Sequence, residues 1–125
     1  MFSNLIRTPI TQLRHNENSN QFFIKRDDLL PFSFGGNKVR IAEEYFKDML
    51  QKDCNCIISY GSSKSNLNRV IANMSRAEGI PCYVISPEDI NPETQATFNS
   101  ILVKDTGANI ISCSRDNIAD TVESV

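Results

Sequence analysis

From residue 56 onward, short apolar runs alternate with longer segments of helical periodicity. The runs at residues 56–60, 81–85 and 108–113 are rich in isoleucine and valine. The first two have the length of buried strands, and the third is predicted as another strand. Strands joined through helices by short connections pair in parallel, with right-handed crossovers. The order therefore predicts an α/β fold with three layers, in which helices flank a parallel sheet.

The first two predicted helices each carry an apolar stripe that should face a core. On the helix at residues 38–51 the stripe consists of Ala42, Tyr45, Phe46, Met49 and Leu50. On the helix at residues 65–78 it consists of Leu67, Val70, Ile71 and Met74, and Gly79 is placed to end that helix.

The remaining segments have weaker patterns. A third helix is predicted at residues 93–104, after a loop with Pro87 and Pro92, and its core face comprises Phe98, Ile101 and Leu102. Asp116 could cap a last helix that carries Ile118, Ala119 and Val122. Residues 22–25 form a short strand candidate, and the first twenty residues are predicted to be irregular.

Composition narrows the classes of protein to consider. The 125 residues have the length of one modest domain, and 40% of them are hydrophobic. A net charge of -2 provides no basic field for nucleic acid. No apolar run is long enough to cross a bilayer, and residues 1–14 lack the apolar centre of a secretion signal. We therefore expect a cytoplasmic protein that binds neither nucleic acid nor membranes.

The four cysteines do not have the spacing of a metal site. Cys54 and Cys56 are separated by one residue, and the only histidine in the sequence is His15. Cys82 and Cys113 lie in apolar runs, as buried thiols often do. We expect reduced cysteines and no metal.

The loop at residues 60–66, Y-G-S-S-K-S-N, follows the first buried strand and leads into a helix. Ligands of parallel sheets lie beyond the carboxyl ends of the strands, and a helix start offers unpaired N–H groups to an anion. The hydroxyls of Ser62, Ser63 and Ser65 and the amide of Asn66 add hydrogen-bonding groups. The simpler alternative is that Ser65 only caps the helix. A nucleotide-binding loop ending at Lys64-Ser65 would need glycine in place of Ser63.

The second candidate segment spans residues 26–40. Here Lys38 follows two glycines and Asn37 at the start of a helix, where the helix dipole disfavours a further cation. A neutral lysine amine can form an imine with a carbonyl compound. The alternative is an ordinary solvated lysine, and the residues by themselves leave both open.

Taken together, these segments resemble fold-type II pyridoxal-phosphate enzymes, in the branch of D-cysteine desulfhydrase and 1-aminocyclopropane-1-carboxylate deaminase. The resemblance rests on K-R-D-D at residues 25–28, G-G-N-K-x-R at residues 35–40, and Gly61 followed by Ser65-Asn66. The motifs occur in the family's order, and the resemblance runs from Thr8-Pro9 to the strand at residues 108–113. It implies the fold of the small domain of tryptophan synthase beta-like enzymes.

The resemblance also implies site roles. Lys38 would be attached to pyridoxal 5'-phosphate and would move the proton at the substrate α-carbon. Asn37 would help to position the phosphate, and Asn66 would hydrogen-bond the phenolic oxygen of the ring. Ser65 would be a catalytic residue at the substrate, binding its carboxylate or assisting proton transfer, and the backbone amides of Asn66 and Leu67 would contribute to substrate binding. Family members contain a second, larger domain and are expected to form homodimers.

Three residues depart from the family's usual pattern. These departures bear on which substrate the protein would take and not on its cofactor. Lys64 stands where glutamine is common, Leu67 where a polar residue is usual, and Ile41 where a second basic residue is common. The length is shorter than the family's, so we expect an amino-terminal fragment: residues 1–36 would pack on a missing larger domain, and residues 37–125 would form an incomplete small domain.

The sequence thus predicts a lyase or deaminase that acts on a small amino acid in its complete form. Within the same fold, the alternatives are a racemase, a dehydratase or a carbon–sulfur synthase. Outside enzymes, the alternative is a non-catalytic α/β module that binds an anion at residues 62–66.

Overall fold

The structure is a computed structural model, and it describes residues 7–14, 20–87 and 97–125. The helices and strands of these residues are, in chain order, β1 (Ile10–Gln12), β2 (Phe23–Lys25), α1 (Asn37–Gln51), β3 (Ile57–Tyr60), α2 (Asn66–Glu78), β4 (Cys82–Pro87), α3 (Phe98–Asp105), β5 (Asn109–Cys113) and α4 (Ile118–Ser124).

The three carboxyl-terminal strands form a parallel sheet in the order β3-β4-β5. Their register pairs Ile57 with Cys82 and Val84 with Ile110. Helices flank this sheet, so the predicted α/β fold is confirmed. The central strand β4 is buried on both faces, whereas β3 is not, because its last residue, Tyr60, is 52% exposed. Burial on both faces was therefore the wrong expectation for β3.

An antiparallel hairpin lies in the amino-terminal part of the chain. In it, β1 pairs with β2, with Thr11 opposite Ile24. The predicted strand at residues 22–25 is confirmed as β2, but the expectation of an irregular segment is wrong for β1. The polar residues 15–19 lie outside the described part of the chain. The hairpin leaves large apolar side chains in solvent: Ile10, Phe22, Phe23 and Ile24.

The main core forms where α1 and α2 pack on each other and on the sheet. From α1 it receives Val39, Ala42, Phe46 and Met49. The predicted stripe was wrong for Tyr45 and Leu50, which are 49% and 44% exposed. The actual stripe begins one turn earlier, at Val39, and repeats at intervals of three and four residues, which rotates those two side chains toward solvent.

The second helix, α2, agrees closely with its prediction. Val70, Ile71 and Met74 are buried, and Leu67 packs on the edge of the core. Gly79 ends the helix in the left-handed conformation, with a φ of 69°. Each fully buried aliphatic side chain of this kind stabilises the fold by about 1.5–3 kcal/mol.

The third helix begins in a capping box formed by Thr97 and Ser100. The start predicted at residue 93, and Pro92 before it, lie outside the described residues. The predicted core face is wrong for Phe98 and Ile101, which are 63% and 51% exposed, and the buried residue of α3 is Val103. Pro87, expected in a loop, is the last residue of β4.

The last helix, α4, follows a 3₁₀ turn at Arg115–Asn117. Its N-cap position is Asn117, so the prediction that Asp116 caps it is wrong. None of the α4 side chains is buried. The apolar stripe expected on this helix is therefore open to solvent in the part of the protein described.

The structure describes all four cysteines. All four cysteines are free; Cys82 and Cys113 are buried, as expected, and Cys54 is exposed. Burial raises the pKa of the Cys82 thiol.

Among the described helices, none is long and apolar enough to span a bilayer.

Candidate functional site

The loop that follows β3 is closely packed against the start of α2. A Cβ atom added to Gly61 would lie 3.0 Å from the Ser65 hydroxyl oxygen and 3.2 Å from the Asn68 side-chain nitrogen. The Gly61 amide donates to the carbonyl of Ile85 at 3.1 Å, which anchors the loop to β4. A side chain at this position would crowd Ser65 and Asn68, so glycine suits the close approach of the loop to the helix.

Ser65 is the N-cap of α2. Its hydroxyl oxygen accepts a hydrogen bond from the Asn68 backbone amide at 3.1 Å, and its backbone is extended. The simpler alternative, a helix cap, is thus part of what Ser65 does. Among the described residues, the hydroxyl proton has no acceptor, so the serine remains able to donate a hydrogen bond to a ligand.

Asn68 is a polar residue of this region that the sequence analysis missed. It is 2% exposed, accepts a hydrogen bond from the Ser59 hydroxyl at 2.6 Å, and donates to the Gly61 carbonyl at 3.1 Å. Its side chain therefore joins the end of β3 to the first turn of α2. The sequence feature that could have indicated Asn68 was its position three residues before Ile71, on the buried side of α2.

Residues at the start of α3 brace the same loop. The Asn99 amide donates to the Lys64 carbonyl at 2.7 Å and to the Asn66 side-chain oxygen at 3.0 Å. The Thr97 hydroxyl donates to the Ser63 carbonyl at 2.5 Å. Because Asn99 occupies the oxygen of Asn66, the amide nitrogen of Asn66 is left to donate, and it has no partner in the described part of the chain.

The turn before α1 has an unusual backbone. Four successive residues have positive φ: Ser33 at 45°, Phe34 at 66°, Gly35 at 68° and Gly36 at 92°. A Cβ atom on Gly35 would lie 2.5 Å from the Asp28 carbonyl oxygen, so a larger residue would clash as well as being strained. Positive φ at a residue such as Phe34 is a genuine outlier, and such outliers persist where surrounding contacts enforce them.

Asn37 and Lys38 form the first turn of α1, directly after this strained turn. Asn37 is exposed and Lys38 is half-buried. Within residues 7–14, 20–87 and 97–125, the Lys38 amine has no hydrogen-bond or ion-pair partner. It therefore differs from Lys47 and Lys52 further along the same helix, both of which pair with carboxylates.

The two predicted segments lie next to each other. The Phe34 ring, four residues before Lys38, lies 5.3 Å beneath the guanidinium carbon of Arg69, in the first turns of α2. The same ring is 5.8 Å from the ring of Phe98, the neighbour of Asn99. A cation over an aromatic face is attracted by the ring's electrons. The contact ties the turn before Lys38 to the first turns of α2, the helix that Ser65 caps.

A network of charged residues ties the same turn to the hairpin. The Arg40 guanidinium donates to both carboxylate oxygens of Asp27, at 2.7 and 2.8 Å, and to the Thr8 hydroxyl at 2.9 Å. The Thr8 hydroxyl in turn donates to Asp27 at 2.7 Å, and the Lys25 amine donates to the Thr8 carbonyl. Hydrogen bonds from Arg40 and Thr8 hold the pKa of Asp27 far below its usual range.

A cavity of about 720 Å³ lies beneath the loop, bordered by Ser62, Ser65 and Asn68 and closed by residues of β4, β5 and α3. Its lining among the described residues includes neither Lys38 nor Asn66. Of the predicted site residues within the described part of the chain, this cavity is bordered by Ser65 alone, so the cavity does not by itself bring the predicted site together.

Other residues singled out by the sequence have different surroundings. Leu67 packs against the main core, so only its backbone amide is available for the predicted substrate contact. Lys64 is exposed and Ile41 is half-buried. In the described residues, no three side chains of histidine, cysteine or acidic residues are arranged to hold a metal ion.

Comparison with known proteins supports the resemblance stated above. The curated D-cysteine desulfhydrases of Yersinia pestis (strain Pestoides F) and Yersinia pseudotuberculosis serotype O:1b are each 29% identical to this chain over 97 residues. The matched region is 74% of this chain but 29% of each relative. The chain thus spans less than a third of the length of these relatives.

Solved structures show the same fold. An ACC deaminase homologue is similar with a TM-score of 0.74 and 25% identity, over 94% of this chain and 37% of that one. A hydrogen sulfide-producing enzyme from Fusobacterium nucleatum has a TM-score of 0.67 and 15% identity, over 94% of this chain and 38% of that one. At that identity the likeness concerns the fold alone.

The family profile described as "Pyridoxal-phosphate dependent enzyme" matches residues 2–125, nearly the whole sequence. The resemblance drawn from the motifs is therefore confirmed, and so is pyridoxal phosphate as the cofactor of the family. The roles of individual site residues stay predictions. The chain belongs to the family of pyridoxal-phosphate-dependent enzymes.

Proposed function

We propose that this chain is the amino-terminal part of a pyridoxal-phosphate-dependent lyase or deaminase that acts on a small amino acid. D-cysteine and 1-aminocyclopropane-1-carboxylate are the first substrates to test, since D-cysteine desulfhydrases and an ACC deaminase homologue are among the relatives. The observation that supports the proposal is the amine of Lys38, which has no partner among the described residues. It follows a turn that the Phe34–Arg69 contact ties to α2, the helix that Ser65 caps and Asn66 begins.

The described residues fit the cofactor. A covalent attachment needs an amine that is not committed to a carboxylate, and Lys38 meets this requirement. A ring oxygen needs a donor, and the Asn66 amide nitrogen is available because Asn99 occupies its oxygen. Two glycines, Gly35 and Gly36, add no side chains of their own to the turn that leads to Asn37 and Lys38.

The residues then have the following roles in the proposal. Lys38 carries the cofactor and afterwards moves the proton at the substrate α-carbon. Asn37 helps to position the phosphate, and Asn66 donates to the phenolic oxygen of the ring. Ser65 donates its hydroxyl proton to the substrate carboxylate, assisted by the backbone amides of Asn66 and Leu67. The chemistry that pyridoxal phosphate supplies when bound is an electron sink for charge at the substrate α-carbon.

We also propose that residues 1–36 pack on a larger domain of the complete protein and that residues 37–125 belong to its small domain. The exposed apolar side chains of the hairpin support this arrangement, because Ile10 and Phe23 are 67% and 56% exposed. Exposed apolar surface of this kind is typical of a face that contacts another polypeptide. A homodimer of the complete protein is part of the same proposal.

The test is to trap the cofactor lysine in the complete protein. Borohydride reduction in the presence of pyridoxal phosphate, followed by peptide mapping, should place the pyridoxyl group on Lys38. Lys38→Arg should abolish labelling, because a guanidinium is not a nucleophile at neutral pH. Lys64→Arg is the matched control and should label normally. A label found on Lys64 or Lys25 would contradict the assignment.

The same protein should release ammonia and a keto acid from one of the two substrates. A non-catalytic module would instead bind anions at the Ser62–Ser65 loop without an absorption band from a cofactor. The spectrum after removal of free pyridoxal phosphate therefore separates the two functions.

A further inference from the structure

Asp27 contacts α1 at two separate points. Its carboxylate binds the Arg40 guanidinium through two hydrogen bonds of 2.7 and 2.8 Å. Its backbone carbonyl accepts a hydrogen bond of 2.6 Å from the amide of Gly36, the N-cap of the helix. The two points are four residues apart, about one helical turn. Lys38 lies midway between them.

We propose that Asp27, together with Arg40, is a positioning residue for Lys38. The inference rests on the proposed function, in which Lys38 carries the cofactor. Because Asp27 holds both ends of the first turn of α1, it restricts rotation and sliding of the helix at Lys38. The aspartate acts through the backbone and does not touch the lysine amine.

The chemistry of the pair suits this purpose. A bidentate pair between a guanidinium and a carboxylate fixes relative orientation as well as distance, which a lysine in place of Arg40 could not do. Thr8 completes the arrangement by donating to Asp27 and accepting from Arg40. The pair therefore links three parts of the chain: the hairpin, the turn after it and the first turn of α1.

Accurate placement of a reacting group has large consequences, since a shift of about 1 Å can cost roughly a hundredfold in rate. A lysine whose helix is held at one end only would sample several orientations. We therefore expect loss of the Asp27–Arg40 pair to affect how fast Lys38 reacts with pyridoxal phosphate and how uniformly the product is oriented.

The neighbouring aspartate provides a matched control. Asp28 also forms a bidentate pair, with Arg26, but that pair is exposed and both partners lie outside α1. Asp28→Asn makes the same chemical change one residue away and leaves both contacts to α1 in place. A general effect of losing one negative charge would appear equally in Asp27→Asn and Asp28→Asn.

The experiment uses the complete protein, freed of cofactor and then mixed with pyridoxal phosphate well below its thermal midpoint. Two quantities are measured for the wild type, Asp27→Asn, Arg40→Lys and Asp28→Asn. One is the rate at which borohydride-trapped label accumulates on Lys38. The other is the induced circular dichroism of the cofactor per mole of label, which reports orientation and not stability.

The wild type and Asp28→Asn should agree within about twofold, and Asp27→Asn and Arg40→Lys should label about tenfold more slowly, with a weaker dichroic band. Normal rate and dichroism in these two variants, with only a lower thermal midpoint, would overturn the inference. If Asp27→Asn does not fold, Arg40→Lys decides the matter. Failure of the wild type to label at Lys38 would instead refute the proposed function.

Discussion

The Ser65 hydroxyl oxygen accepts a hydrogen bond from the Asn68 backbone amide at 3.1 Å, while the hydroxyl proton has no acceptor among the residues that the structure describes. One side chain can therefore cap α2 and bind a substrate at the same time. The two roles would be separable, because the cap contributes to stability and the proposed substrate contact would contribute to turnover.

Replacing Ser65 with alanine should affect both quantities. Loss of the cap should lower the free energy of unfolding by about 1 kcal/mol. In the complete protein, the cofactor should remain bound while turnover falls strongly, which steady-state rates on the two candidate substrates would measure. Ser62→Ala, in the same loop, should change neither. Normal turnover by Ser65→Ala would reduce the serine to a helix cap.

Replacing Asn66 should act on the cofactor. Asn66→Ala removes the donor assigned to the ring oxygen, so the absorption band of the bound cofactor should shift or its affinity should fall. Asn99→Ala should produce a smaller change in the same direction, because it frees the Asn66 amide to rotate. Asn73→Ala, further along α2, serves as the control. An unchanged spectrum in Asn66→Ala would contradict the assigned contact.

Asn68 should be important for stability. Asn68→Leu leaves the Ser59 hydroxyl and the Gly61 carbonyl without the partner that each has now. A buried polar group that loses its partner costs about 1–3 kcal/mol, so urea unfolding should show a loss in that range or larger. Asn73→Leu on the same helix should be tolerated much better. Equal midpoints for the two variants would show that the buried amide is dispensable.

The Asp27–Arg40 pair should make the free energy of unfolding depend on pH. Hydrogen bonds from Arg40 and Thr8 lower the folded-state pKa of Asp27, whereas the unfolded carboxyl titrates at about 3.9. The stabilisation is therefore present above about pH 4 and is lost as the pH falls from there toward the lowered value. The difference in stability between wild type and Asp27→Asn should shrink as the pH is lowered from 6 to 3, and a constant difference would exclude this linkage.

The 125-residue chain expressed alone should neither retain pyridoxal phosphate tightly nor catalyse. The proposed attachment to Lys38 would hydrolyse readily in water unless further contacts held the cofactor, and the matched region is only 29% of each curated relative. Desalting after addition of pyridoxal phosphate, followed by an absorption spectrum, tests retention. A retained band, together with ammonia release from either substrate, would show that the fragment interpretation is wrong.

Much of the fold was predictable because its signals are local. The apolar stripe and both caps of α2 lie within fifteen residues, and each strand of the parallel sheet is a short apolar run. By contrast, β1 has only three residues and no alternation, so nothing in the sequence distinguished it from a loop. The stripe of α1 was misplaced because two overlapping faces of that helix carry apolar residues, and only packing decides between them.

The site was predictable in part for the same reason. Ser65, Asn66 and Lys38 stand in contiguous motifs at helix starts, where residue type indicates chemistry. The bracing contacts of Asn99 and Arg40 join residues 33 and 13 positions apart, respectively, and no local pattern specifies such pairs. The sequence therefore indicated the groups that we propose to react, but it did not indicate the side chains that brace the backbone around them.

The left-handed turn at residues 33–36 bears on how this family can be searched and classified. Gly35 is required by its φ of 68° and by the nearby Asp28 carbonyl, whatever side chain follows at position 38. A relative without a lysine at position 38 would still need that glycine in order to form the turn. A glycine at position 35 therefore reports the backbone conformation, whereas the proposed chemistry depends on the residue two positions after Gly36.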